Sequence, residues 1–157
     1  MTNIGVFGSG LGESALDLFR LFLKDESGYA VDVLPGSGGV YDIIVCVEDV
    51  CGLKSAGGAD SRTMYVVNPE HKRILAGLPK SGAELITCGF NGKDCVTASS
   101  VTETGLVICV QRNIPTVDGR ILEPQEFAVS LNMEDKSPEL ALAVITALLA
   151  AGVKRMF

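Results

Sequence analysis

Basic side chains are scarce. Thirteen Lys and Arg stand against nineteen Asp and Glu, for a net charge of −6 and a pI near 4.7. Nucleic acid and anionic membrane both require a positive footprint, so neither is expected as a partner. A long apolar run is missing too. The longest, Leu140 to Val153, falls short of the roughly 18 residues needed to span a bilayer. No basic region precedes the apolar start around Ile4 to Phe7, which therefore reads as a strand and not a signal peptide, with the cytoplasm as the expected location. His71 is the only histidine, and Cys46, Cys51, Cys88, Cys95 and Cys109 form no C-x-x-C pair. The common zinc spacings are thereby excluded, and a thiol redox role has no motif to stand on. Free, mostly buried thiols in a reducing compartment are expected. Repeats, low-complexity stretches and linkers are also lacking, so residues 1–157 are expected to form a single domain. That length buries roughly two-thirds of the unfolded surface without a disulfide or metal staple.

Eighteen glycines point to many tight turns. Ile4 to Phe7 reads as a strand that feeds the turn Gly8-Ser9-Gly10-Leu11-Gly12. Glu13 to Lys24 follows with Ala15, Leu18, Phe19 and Phe22 at helical spacing. Tyr29 to Leu34 and Met64 to Val67 read as strands, and Asp42 to Val47 is the continuous apolar run of a strand buried on both faces. Gly52 to Ser61 is a loop or weak helix. Asn68 is expected to cap a helix that has Pro69 in its first turn and reaches about Leu78. Glu84 to Cys88 is the next strand. Strands alternating with helices up to this point predict a parallel sheet. Asp94 to Val101, Gly105 to Arg112 and Gln125 to Leu131 then follow as strands with no helix between them. They predict an antiparallel meander, with Val117 to Arg120 as a hairpin-type turn. Ser137 as N-cap and Pro138 behind it open a last apolar helix that stops at Gly152.

Several segments, in this order and spacing, resemble the central, ATP-binding domain of the Mur ligases. Asn3 to Ser14 is similar to that domain's first strand and phosphate loop, and Tyr41 to Val47 to a later central strand. Tyr65-Val66-Val67-Asn68-Pro69-Glu70 resembles a strand followed by an Asn-x-acidic segment. Glu84 to Phe90 resembles a strand ending in a Gly-aromatic pair, and Asp94 to Ala98 the first strand of a small antiparallel sheet. Leu140 to Val153 resembles the closing alanine-rich helix. The resemblance implies a three-layer α/β sandwich with a mostly parallel, P-loop-type sheet and a small antiparallel sheet in the C-terminal half. It also implies ATP chemistry, in which an acyl-phosphate is made and then attacked by an amine.

The residues that such chemistry needs are missing. The family's loop reads roughly G-T-N-G-K-[ST], with backbone N–H groups around the phosphates, a lysine neutralising them and a hydroxyl on magnesium. Here Gly8, Ser9, Gly10, Gly12 and Ser14 remain as a vestigial, degenerate Walker A loop, one residue longer, with Glu13 where the lysine belongs. A carboxylate a few Å from a phosphate is repulsive by ~1–4 kcal/mol at intermediate dielectric. The family's magnesium-holding Glu-Ser segment has no counterpart in the Pro35 to Val40 turn. Its Asp-His pair is replaced by Glu48-Asp49-Val50-Cys51, and its His-Asn-x-x-Asn helix start by Lys136-Ser137-Pro138-Glu139-Leu140. Its two flanking domains have no counterpart in these 157 residues.

The glycine-rich loop therefore reads first as a tight turn where helix meets sheet, and second as a residual small-anion or nucleoside site. G-x-G-x-x-G spacing fails at Glu13. Glu48 and Asp49 read as a solvated loop, or alternatively as a weak magnesium site. His71 reads as a surface residue beside Lys72 and Arg73, and Glu134-Asp135 as charge favoured ahead of a helix. No catalytic residue, cofactor or metal is expected. The expected role is a non-catalytic binding or regulatory module that meets a protein partner or a second copy of itself. The alternative is a nucleotide- or small-anion-binding component of an ATP-dependent amide ligase completed by another chain.

Overall fold

The computed structural model describes residues 1–36, 39–80 and 82–154. Ser37 and Gly38 lie outside the described residues, so the shortened turn between Pro35 and Val40 is described only at its ends. Five strands, β1 (Thr2–Phe7), β2 (Tyr29–Val33), β3 (Ile43–Cys46), β4 (Met64–Val67) and β5 (Glu84–Thr87), form one parallel sheet in the order β2-β1-β3-β4-β5. All four residues of β3 and of β4 are buried. Their unbroken apolar runs follow from lying mid-sheet with both faces covered.

One face of the sheet packs against α1 (Gly12–Leu23) and α3 (Pro138–Ala150), where Ala15, Leu18 and Phe19 meet Ile4, Val6 and Val45. The other face, with Ile44, Tyr65 and Val67, has thinner cover. It is closed by Ile74 of α2 (Lys72–Gly77), by Leu78, and by Leu53 next to a single 3₁₀ turn at Lys54–Ala56. Strands β6 (Val96–Thr102), β7 (Gly105–Val110) and β10 (Gln125–Ser130) make an antiparallel sheet in the order β10-β7-β6. Its Leu106, Ile108 and Val129 join the core shared with α3. With sheet residues on two sides, α3 buries every residue from Leu140 to Ala150, as a helix that is apolar all round must.

Two local expectations need correction. Asn68 caps no helix: its Oδ1 accepts from Glu70 N at 3.0 Å and its carbonyl from His71 N at 2.9 Å. Pro69 therefore sits in a turn, and α2 starts later and is shorter than its sequence suggests. The turn at 117–120 belongs to a separate two-stranded ribbon, β8 (Ile114–Pro115) with β9 (Ile121–Leu122), and not to the three-stranded sheet. The expected run from β5 to β10 without a helix is observed. No helix among the described residues is long and apolar enough to cross a membrane.

Candidate functional site

Open parallel sheets present their ligand crevices beyond the carboxyl ends of the strands. Here that end carries the Gly8 to Gly12 turn after β1, Glu48 and Asp49 after β3, and Asn68 after β4. The glycines of the turn serve close packing. A Cβ on Gly8 would stand 2.8 Å from Val47 Cγ2, and one on Gly12 would stand 2.9 Å from Val33 Cγ1. Both glycines are buried, whereas Ser9, Gly10 and Ser14 are exposed.

Glu48 is the residue that gives the turn its chemistry. Its Oε1 accepts from Gly10 N at 2.8 Å and from Leu11 N at 2.9 Å. A Cβ on Gly10 would meet the same oxygen at 3.2 Å. The N-cap of α1 is Leu11, which has no capping side chain, so this distant carboxylate takes the anion's place at the helix start. Charge-assisted bonds of this kind are about twice as strong as neutral ones, and negative charge at a helix N-terminus contributes about 0.3–1 kcal/mol.

Asp49 does the same for α2. Its Oδ1 accepts from Arg73 N at 2.9 Å and from Ile74 N at 3.2 Å. The N-cap there is His71, again without a capping side chain. Two adjacent, partly exposed loop carboxylates thus hold the starts of two different helices. Among the described residues, no group of three His, Cys, Asp or Glu side chains is placed to hold a metal ion.

The sequence reading missed these two roles. The usable signal was an absence: neither α1 nor α2 has a Ser, Thr, Asp or Asn immediately before it, so their N–H groups needed partners from elsewhere.

Other polar groups at this end are arranged as follows. The cleft beside Asn68, Thr87, Phe90, Lys93 and Asp94 measures about 360 Å³. Asp94 is buried and accepts from Asn91 N at 3.1 Å, and Thr87 Oγ1 accepts from Cys95 N at 2.9 Å. His71 is half-buried and not a fully solvated surface residue, because its Nδ1 is enclosed and without a partner among the described residues. All five cysteines are free. Burial pushes the Cys46 and Cys88 thiols up to about 12, which leaves both protonated and unreactive near neutral pH. A larger cavity, about 470 Å³, lies at the amino end of β3 and β4, beside Tyr41, Asp42, Arg62 and Thr116, away from the glycine turn.

No known family profile matches this sequence, and no curated protein does. Solved structures do share its fold. The UDP-N-acetylmuramoylalanyl-D-glutamyl-2,6-diaminopimelate--D-alanyl-D-alanyl ligase from Acinetobacter baumannii superposes with a TM-score of 0.62 at 12% identity, over 98% of this chain and 43% of that one. A crystal structure of MurF from Acinetobacter baumannii gives 0.55 at 12% identity, over 97% and 43%. The chain thus spans less than half the length of these ligases, and its α/β fold is Mur-ligase-like.

Proposed function

We propose that this domain is a non-catalytic binding module, a Mur-ligase-like frame whose phosphate loop is closed by its own carboxylate. The observation that carries this reading is Glu48 Oε1 at 2.8 and 2.9 Å from the N–H groups of Gly10 and Leu11. Those N–H groups are the ones a phosphate would use. An incoming triphosphate must displace Glu48 and then lie near Glu13, which is exposed in the first turn of α1. Each carboxylate within about 4 Å opposes it by ~1–4 kcal/mol. The partner is a protein, a second copy of the chain included.

The second reading, a nucleotide- or small-anion-binding component completed by another chain, draws on one feature. Lys136 lines the same cleft as Leu11 and Ser14, so one cation stands near the loop. Calorimetry with magnesium-ATP separates the two. The binding module shows no constant tighter than about millimolar, ~4 kcal/mol. A micromolar constant for the native chain overturns it. The double variant Glu13→Lys, Glu48→Gln serves as a control, because binding gained there traces the loss to charge and not to the loop's shape.

A further inference from the structure

Two of the exposed large apolar side chains, Leu11 at 36% and Leu21 at 50%, line one cleft. It measures about 410 Å³ and runs between α1 and the segment 134–137 that leads into α3. Leu18 and Leu140, both buried, form its floor. Ser14, Asp17, Leu18 and Leu21 recur at helical spacing, so one stripe of α1 makes a wall. From Ser14 to Leu21 that wall runs about 10 Å, enough for about two turns of a second helix.

Charge selects the occupant. Asp17, Glu134 and Asp135 line the cleft against a single cation, Lys136. Asp17 also meets Arg20 at 3.3 Å, but that pair is solvent-exposed and its mutual hold is weak. A second copy docking through the same face would set carboxylates against carboxylates across a two-fold axis.

We propose that this cleft docks a basic amphipathic helix of a partner protein. Its apolar stripe seats between Leu11 and Leu21, and its lysines or arginines face Asp17, Glu134 and Asp135. This is the helix-in-groove mode of recognition. It rests on the binding-module reading and gives that module a surface and a partner chemistry.

The test uses the full chain and two synthetic 18-residue helical peptides with the same leucine stripe. One carries lysines beside the stripe and the other glutamates, and binding is read by fluorescence anisotropy. The lysine peptide is expected to bind saturably and the glutamate peptide at least about tenfold more weakly, with salt weakening the former. Leu21→Ser, at an exposed position that leaves the fold intact, lowers lysine-peptide affinity by about tenfold. Ile121→Ser, exposed on the distant ribbon, leaves it unchanged. No saturable binding, equal binding of the two peptides, or a Leu21→Ser variant that binds like the native chain overturns the proposal. Its failure is distinguishable from failure of the parent reading, which is decided by the ATP titration alone.

Discussion

The starts of α1 and α3 solve one problem in two ways. Helix α3 is capped by its immediate neighbour: Ser137 Oγ accepts from Leu140 N at 3.2 Å, with Pro138 in the first turn. Helix α1 takes its anion from Glu48, 37 residues beyond Leu11. The two helices also differ in burial. α3 is enclosed from Leu140 to Ala150, while α1 buries only Gly12, Ala15, Leu18 and Phe19. The local cap goes with the helix that the core holds anyway. The distant cap goes with the helix that has an open side, and there it fixes the loop as well as the helix.

The largest effect is expected from the core side of this contrast. Leu148 is fully buried, so Leu148→Ala should lower unfolding free energy by about 2–5 kcal/mol, whereas Leu21→Ala on the exposed side of α1 should change it by less than about 0.5 kcal/mol. Urea denaturation of both variants measures the gap, and equal losses would erase the distinction between the helices.

Alkaline pH comes next and acts through the core on both faces of the sheet. The Cys88 thiol lies against Thr146 of α3 and is held at about 12, mainly by burial. Cys46 is held at about 12 by burial as well. Their folded values stand above the unfolded value near 9. The stability they contribute is therefore complete below pH 9 and lost as pH rises toward 12. Thermal melts between pH 8 and 11 should show a falling midpoint, shallower in a Cys46→Ala, Cys88→Ala background. At pH 8 a thiol reagent should modify exposed Cys51 well before either of these two.

The caps come third. Ser137→Ala and Glu48→Ala should each cost about 1 kcal/mol. Amide exchange tells them apart. Ser137→Ala should loosen only the first turn of α3, while Glu48→Ala should loosen Gly10 and Leu11, 38 and 37 residues away in sequence from the substitution. Unchanged protection at Gly10 in Glu48→Ala would mean the distant cap is not holding the loop.

The smallest effect belongs to the turn that closes the far end of α3. Val117 N donates to the Ala150 carbonyl at 2.9 Å. Next to it, the Thr116 hydroxyl, then the Arg120 guanidinium at 2.7 Å, hold exposed Asp118 at about 2. Its folded value lies below the unfolded one, so its contribution is present above about pH 4 and fades as pH falls toward 2. Native chain and Asp118→Asn should differ in melting midpoint at pH 6 and converge near pH 2.

Much of this contrast is legible in the residues themselves. The Ser137-Pro138 start, the all-apolar run behind it, the buried strands β3 and β4, and the change to antiparallel pairing after Phe90 are all local patterns of period or punctuation. The loop glycines are legible as a turn for the same reason. Glu48 and Asp49 were not, because their partners lie 37–38 and 24–25 residues away. Side-chain roles fixed by chain distance leave no period to detect. Asn68 misled for the complementary reason: it has the chemistry of a cap, but its carboxamide is used in a turn over Glu70. Asp49 already holds α2.

The Glu48 contact also bears on the order in which the molecule can assemble. Glu48 reaches Gly10 only once β3 lies beside β1, with Ile4 opposite Ile43 and Phe7 opposite Cys46. Closing a loop of this length costs entropy before any contact repays it. The Glu48 cap of α1 is therefore completed only by sheet formation, whereas α3 carries its own cap in Ser137 and needs no distant strand for it.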